Sequence, residues 1–256
     1  MGNLFSIEGK AALVTGGSRG IGLMIARGYV EAGARVYISS RKADVCDRVA
    51  AELSKAGTCV SLPADVSTEA GVKGLADALR KRESKLEILV NNAGANWGAP
   101  LAEFPESAWD KVLALNVKSI FHLTRALLPE LEAASKPGDP ARVINIGSID
   151  GIRVPMLETY SYSASKAAVH HMTRVLAIRL APKITVNCVA PGPFESKMMA
   201  ETLDRFRDAI VGSCPMERIG EPDDMAGVAI YLASKAGAYL TGTVIPIDGG
   251  ITVRPS

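Results

Sequence analysis

Apolar residues run along this chain in two alternating rhythms. Short stretches that are apolar at nearly every position occur at Ala11–Thr15, Arg35–Ser39, Cys59–Leu62, Leu86–Asn91, Arg142–Gly147, Ile184–Val189 and Thr243–Ile247. A strand reads this way when both faces of its sheet are covered, so these stretches predict a buried parallel sheet. Between them lie longer amphipathic patterns. They predict helices at Gly20–Ala32, Asp44–Lys55, Glu69–Arg82, Glu106–Leu131, Tyr160–Leu180, Ala200–Val211 and Asp223–Ala233. Strand–helix alternation implies right-handed βαβ units. The fold class expected is α/β: a doubly wound, parallel, seven-stranded sheet with helices on both faces.

No repeat, low-complexity tract or linker interrupts the alternation, so residues 1–256 are expected to form one domain. Pro137-Gly138-Asp139-Pro140 reads as a turn. Residues 192–215 make the longest break and carry a helix of their own, which suggests a lid over a substrate site. In such a sheet the ligand sits at the carboxyl ends of the strands.

Composition narrows the function classes. Hydrophobic residues make up 48% and charged residues 22% of 256, which excludes a disordered chain, a collagen-like repeat and a disulfide-stapled mini-protein. A formal net charge of +2 gives no global pull toward nucleic acid or an anionic membrane. No apolar run approaches the ~18 residues of a membrane span. Met1 to Ser6 does not read as a secretory signal; Met1, Gly2 and Ser6 fit a short, common myristoylation pattern that carries little weight. Cys46, Cys59, Cys188 and Cys214 form no C-x-x-C pair and have no histidine cluster beside them. They read as free thiols of a cytoplasmic protein, and no metal site is expected.

The first strand runs into Thr15-Gly16-Gly17-Ser18-Arg19-Gly20-Ile21-Gly22. Glycines at 16, 20 and 22 allow a tight turn and the close approach of a pyrophosphate, and the helix that follows points free N–H groups and its positive end at that anion. With 24 glycines in the chain the pattern alone is weak; its place between a strand and a helix gives it meaning. The bland reading is a plain strand-to-helix turn.

The spacing Gly-x-x-x-Gly-x-Gly resembles the short-chain dehydrogenase/reductase family. Further markers come in that family's order: Asn91-Asn92-Ala93-Gly94 after the fourth strand, Ser148 after the fifth, Tyr162-Ser163-Ala164-Ser165-Lys166 opening the next helix, and Pro191-Gly192 after the sixth. The likeness spans essentially the whole chain and implies a Rossmann-type domain that binds a nicotinamide dinucleotide. It implies cofactor contacts from Gly16, Ser18, Arg19, Gly20, Ile21 and Gly22, from Asn92, Ala93 and Gly94, and from Pro191, Gly192, Phe194 and Ser196. Phe194 would bring its backbone near the carboxamide, and Ser196 stands where the family usually has threonine. Asp65 would accept a hydrogen bond from the adenine amino group with Val66 packed nearby, although an Asp after a strand is more often a turn cap.

An NAD site places a carboxylate at the end of the second strand, where it binds the ribose 2′-hydroxyl and repels a 2′-phosphate. Here that slot is Ser40, and Arg41 follows. Arg41 with Arg19 suits a phosphate held by forked, charge-assisted hydrogen bonds, so NADP(H) is expected over NAD(H). The bland reading makes both arginines solvated surface charges.

Tyr162 and Lys166, four positions apart, share a helix face. A phenol titrates at about 10, and a neighbouring ammonium together with an oxidised nicotinamide ring favours the phenolate. The expectation is that Lys166 makes Tyr162 acidic enough for general acid–base work and also holds the nicotinamide ribose, while Ser148 steadies the substrate carbonyl oxygen. Ser148 and Tyr162 are fourteen positions apart, one more than the commonest family spacing, which suggests a reshaped pocket wall at Ile149–Thr159. Tyr160 has Ala164 and not lysine four positions on. By resemblance Asn116 binds a water leading from the lysine to solvent; read alone, it is an asparagine that bends a helix. No Gly-x-Ser-x-Gly elbow supports a serine hydrolase, and His170 and His171 fall on different helix faces.

The substrate wall is expected from Ala95–Leu101, Ile149–Thr159 and Glu195–Arg218, with Trp97 and Met198 as contacts beside Ser148 and Tyr162. A Met-rich apolar lining suits an acyl chain, although such stripes are usually core. Asn96-Trp97-Gly98-Ala99, Ala141–Ser148 and Thr243–Gly250 resemble NADPH-dependent 3-oxoacyl reductases of the type associated with rhamnolipid synthesis. Leu4–Lys10 resembles gluconate and other sugar-acid dehydrogenases. Arg153, Arg205, Arg207 and Arg218 suit a carrier phosphopantetheine or a carboxylate equally. The reaction expected is reduction of a small-molecule carbonyl, acyl-carrier- or CoA-linked, to a secondary alcohol. The alternative class is a non-catalytic NADP-sensing protein, against which the presence of Ser148, Tyr162 and Lys166 together argues. The resemblance also implies a homodimer or homotetramer through Glu106–Leu131 and Tyr160–Leu180, with Gly242–Ser256 at a second interface.

Overall fold

The structure is a computed structural model and describes residues 3–254. Met1 and Gly2 of the acylation pattern, and Pro255 and Ser256 of the C-terminal segment, lie outside the described residues. Seven strands form one sheet: β1 (Ala11–Thr15), β2 (Arg35–Ser39), β3 (Cys59–Ser61), β4 (Ile88–Asn91), β5 (Ala141–Ile146), β6 (Ile184–Pro191) and β7 (Val244–Ile247). The order is β3-β2-β1-β4-β5-β6-β7, and every pairing is parallel. The chain reverses direction across the sheet between β1 and β4, which opens a crevice at their carboxyl ends.

The helices are α1 (Gly20–Glu31), α2 (Ala43–Leu53), α3 (Glu69–Arg80), α4 (Glu106–Leu113), α5 (Ser119–Ala126), α6 (Leu128–Ala134), α7 (Tyr160–Leu180), α8 (Ala200–Ser213) and α9 (Pro222–Ala233). They cover both faces. Ala12, Val14, Val36, Ile38, Ile88 and Val90 pack on one side with Ile25 and Tyr29 of α1 and Met225 and Leu232 of α9. Ala11, Leu13, Tyr37, Leu89, Val143 and Val186 pack on the other with Leu75 and Leu79 of α3 and Leu123 of α5. Successive residues of β1 therefore enter opposite cores, which is why its sequence is apolar without alternation.

The helix expected over Glu106–Leu131 continues from Glu106 to Ala126 through a π-helical turn at Ala114–Lys118 that joins α4 to α5, and breaks at Leu127, where Pro129 opens α6. The π turn adds one residue to the helical repeat and leaves Asn116 buried there. Arg142 is buried in β5, where its Nη2 donates to Asp139 Oδ1 at 2.8 Å and to the Ser234 carbonyl at 3.0 Å. All four cysteines are free and buried. Among the described residues no helix is long and apolar enough to cross a membrane, and no group of three His, Cys, Asp or Glu residues is placed to hold a metal ion.

Candidate active site

The carboxyl ends of β1, β2, β4, β5 and β6 open into one cavity of about 1180 Å³. At its floor the turn after β1 has Gly16 and Gly20 at φ +66° and +52°. A Cβ on Gly22 would stand 2.3 Å from the Gly16 carbonyl oxygen, so the turn closes on itself only with glycine there. The N-cap of α1 is Arg19, whose side chain makes no capping bond, and the first turn contains no acidic residue. The leading N–H groups of α1 are thus left to an anion. Thr15 braces the turn: its Oγ1 accepts from the Asn92 and Ala93 N–H groups, both at 3.0 Å, and Asn92 Nδ2 donates to the Thr15 carbonyl at 2.8 Å.

Along one end of the cavity stand Ser40, Arg41 and Lys42 after β2, with Arg19 from the turn. Asp65 and Val66 line the same end. Asp65 Oδ1 accepts from Ser67 N at 3.0 Å and Ser67 Oγ at 2.6 Å, so it caps its own turn. Those bonds hold its carboxyl below the usual range. Asn91 faces away from the cavity; its Nδ2 donates to Asn145 Oδ1 and Thr124 Oγ1 inside the core.

Ser148 follows β5 and caps a short turn, its Oγ accepting from Asp150 N at 3.1 Å. Tyr162 and Lys166 lie one turn apart on α7, with Lys166 Nζ 5.4 Å from the centre of the Tyr162 ring. Lys166 Nζ donates to the Ile146 carbonyl at 2.8 Å, which anchors it to the end of β5. Burial dominates and pushes Tyr162 up to about 12; the Ser148 hydroxyl lowers it and the Asp150 carboxyl raises it. Burial also pushes Lys166 down to about 8. Desolvation disfavours both charged forms. At neutral pH the phenol is a protonated acid.

Asn116 Oδ1 accepts from Ala95 N at 2.8 Å, and its Nδ2 donates to the Ala95 carbonyl and to Ser165 Oγ, both at 3.0 Å. It ties the segment after β4 to α7. A methyl placed on Gly94 would lie 3.4 Å from Asn116 Oδ1 and 4.0 Å from Lys166 Nζ, so the two side chains flank the same glycine. Tyr160 turns its hydroxyl to Glu158 at 2.6 Å, outside this cluster. His170 is buried behind it and His171 is exposed.

On the far side, Trp97 and Met198 line the cavity with Met156, Leu157 and Met199. Pro191, Gly192, Phe194 and Ser196 form its rim, the Phe194 ring being buried against Gly220. Thr15 of the glycine-turn stretch and Asp150 of the expected wall at Ile149–Thr159 also line the cavity, as do Lys42 and Lys111, which no motif singled out. Lys42 follows Arg41, and that position is the only signal the sequence carried for either lysine.

The arrangement suits a dinucleotide. Uncapped helical N–H groups over a glycine turn fit its pyrophosphate, and the Arg19–Arg41–Lys42 end fits an added phosphate. Comparison with known proteins agrees. A sequence model described as Enoyl-(Acyl carrier protein) reductase matches residues 16–252. A protein of Diaporthe leptostromiformis named Short-chain dehydrogenase/reductase PhomF is 37% identical over 99% of this chain and 95% of its own. The chain belongs to the short-chain dehydrogenase/reductase family. Within that family, the Rhamnolipids biosynthesis 3-oxoacyl-[acyl-carrier-protein] reductase of Pseudomonas aeruginosa is 51% identical over 96% of this chain and 97% of its own. The solved Pseudomonas aeruginosa RhlG/NADP active-site complex superposes with a TM-score of 0.95 at 50% identity, covering 98% of this chain and 100% of that one.

Proposed function

We propose that this short-chain dehydrogenase/reductase reduces a 3-oxoacyl thioester to its 3-hydroxyacyl form with NADPH. The observation that carries the reading is the cluster of Ser148, Tyr162 and Lys166 at the end of β5, in one cavity with the glycine turn. Identity of 51% to a 3-oxoacyl reductase supports the thioester. Arg19, Arg41 and Lys42 would hold the 2′-phosphate of the cofactor, and the uncapped start of α1 its pyrophosphate. When bound, reduced nicotinamide supplies the hydride. Tyr162, protonated at neutral pH, donates its phenolic proton to the carbonyl oxygen as negative charge grows there. The Ser148 hydroxyl donates to the same oxygen and fixes its position. The Lys166 ammonium keeps positive charge beside the phenol and so lowers the cost of forming the phenolate.

Residues 192–215 act as a lid in this reading, with Met198, Met199 and Ile210 turned to the cavity. Phe121 of α5 and Val175 and Ile178 of α7 expose apolar side chains, which supports pairing of these helices between two copies. The test is NADPH oxidation against 3-oxoacyl thioesters of several chain lengths, keto-sugar acids and simple ketones. The reading expects the thioesters to lead, with NADPH preferred to NADH. Preference for keto-sugar acids would overturn the substrate, and preference for NADH the cofactor.

A further inference from the structure

The substrate end of the cavity is bounded by two segments that hold each other. The Ala99 N–H donates to the Glu158 carbonyl at 3.2 Å, and Leu101 N donates to Glu158 Oε1 at 3.3 Å. The stretch after β4 is thereby fastened to the stretch after β5. Each carries a cation to the cavity wall. Lys111, on α4, sets its Nζ 5.0 Å from the centre of the Trp97 ring, and Arg153 stands among Pro155, Met156 and Leu157.

These two differ from the other cations near the lid. Arg205 pairs with Glu201 at 3.0 Å, Arg207 with Glu195 at 2.7 Å and Arg218 with Asp224 at 2.6 Å, and none of the three lines the cavity. Lys197 also lines the cavity; it follows Ser196, whose side chain approaches Gly20 of the phosphate turn. Among the described residues, neither Lys111 nor Arg153 lies within ion-pairing distance of a carboxylate. Glu158 is engaged by Tyr160 and Leu101. Asp150, the carboxyl on the same wall, is half-buried, and desolvation raises it against the pull of Arg153 and Lys166. Two unpaired cations beside an apolar wall are complementary to a ligand with an anionic end and an apolar tail.

Resting on the 3-oxoacyl reading, we propose that Lys111 and Arg153 form a subsite for the phosphate of a phosphopantetheine arm. The acyl chain then lies along Met156, Leu157 and Met198. An ammonium over an indole face and a forked guanidinium each suit a phosphate. The phosphate is common to a carrier protein and to coenzyme A, so the subsite recognises the handle and not its bearer.

The test compares one 3-oxoacyl chain on pantetheine and on 4′-phosphopantetheine, two substrates that differ by a single phosphate. For the unaltered protein at low salt, KM should be lower for the phosphorylated thioester by about tenfold, the size of one charge-assisted contact, and about 0.5 M salt should shrink the difference. In a Lys111→Gln, Arg153→Gln variant the two KM values should converge, with NADPH affinity kept. Retained NADPH affinity shows that the variant is folded. Equal KM values in the unaltered protein, or a difference that survives in the variant, would overturn the subsite alone. Reduction of neither thioester alongside reduction of a keto-sugar acid would overturn the 3-oxoacyl reading and the subsite with it. Coenzyme A and carrier-protein thioesters should lose affinity equally in the variant; a loss confined to the carrier protein would mark a protein-docking contact and overturn the phosphate assignment.

Discussion

Replacing Gly22 by alanine adds one methyl at the tightest point of the phosphate turn. That carbon would stand 2.3 Å from the Gly16 carbonyl oxygen and 2.4 Å from Asn92 Nδ2. Neither neighbour yields freely. The first is backbone, and the second is held by its 2.8 Å bond to the Thr15 carbonyl. Overpacking of this kind costs about 1–3 kcal/mol, and loss of the Asn92 bond adds about 1 kcal/mol. The total, about 2–4 kcal/mol, corresponds to a fall in Tm of roughly 5–12 °C for a chain of this length. Opening the turn also moves the N–H groups that face the pyrophosphate, so the NADPH Kd should rise by at least about tenfold, or about 1.4 kcal/mol. Gly74 is the control. It lies exposed inside α3 with nothing within 4 Å of its missing methyl, and alanine there should stabilise by about 0.5–1 kcal/mol. Thermal denaturation and NADPH titration of both variants read the contrast. A Gly22→Ala protein with unaltered Tm and unaltered NADPH affinity would refute the cradle.

Two further outcomes follow from the charges. Arg41→Ala, and to a lesser degree Arg19→Ala, should raise KM for NADPH by about tenfold while leaving KM for NADH nearly unchanged, because only the former carries the 2′-phosphate; steady-state kinetics with both cofactors at low salt decides it. His170 is pushed down to about 4, chiefly by burial. The unfolded chain takes up that proton below about pH 6.5 while the folded one stays neutral, so stability falls as pH drops from about 6.5 to 4 and the loss ends below that. Urea denaturation across this window should show the unaltered protein losing on the order of 3 kcal/mol more than a His170→Asn variant.

The sheet was legible because each strand has to enter two cores at once: Leu13 and Val14 are adjacent, and both are buried on opposite faces. The helices on its faces were legible from periodicity, except where a local device broke the period. Asn116 sits in a π turn within the helix, and Pro129 starts a new helix after Leu127, so a pattern continuous over Glu106–Leu131 folds with one bulge and one break. The motif residues were found because glycine turns and the Tyr162–Lys166 spacing are local in sequence. Lys111 was not, because it reaches the cavity from α4 through packing between segments distant in sequence. The depth at which Tyr162 and Lys166 sit was also out of reach. A four-residue spacing brings an ammonium near a phenol, but how deeply the pair is buried depends on the whole fold, and here burial prevails.

Tyr162→Phe keeps the ring and removes only the hydroxyl that is held to be the proton donor. Single-turnover reduction of a 3-oxoacyl thioester by this variant, measured beside its NADPH affinity, should show a rate lower by about a hundredfold or more with cofactor binding intact. A variant that turns over at the unaltered rate would contradict the assignment of the proton to Tyr162.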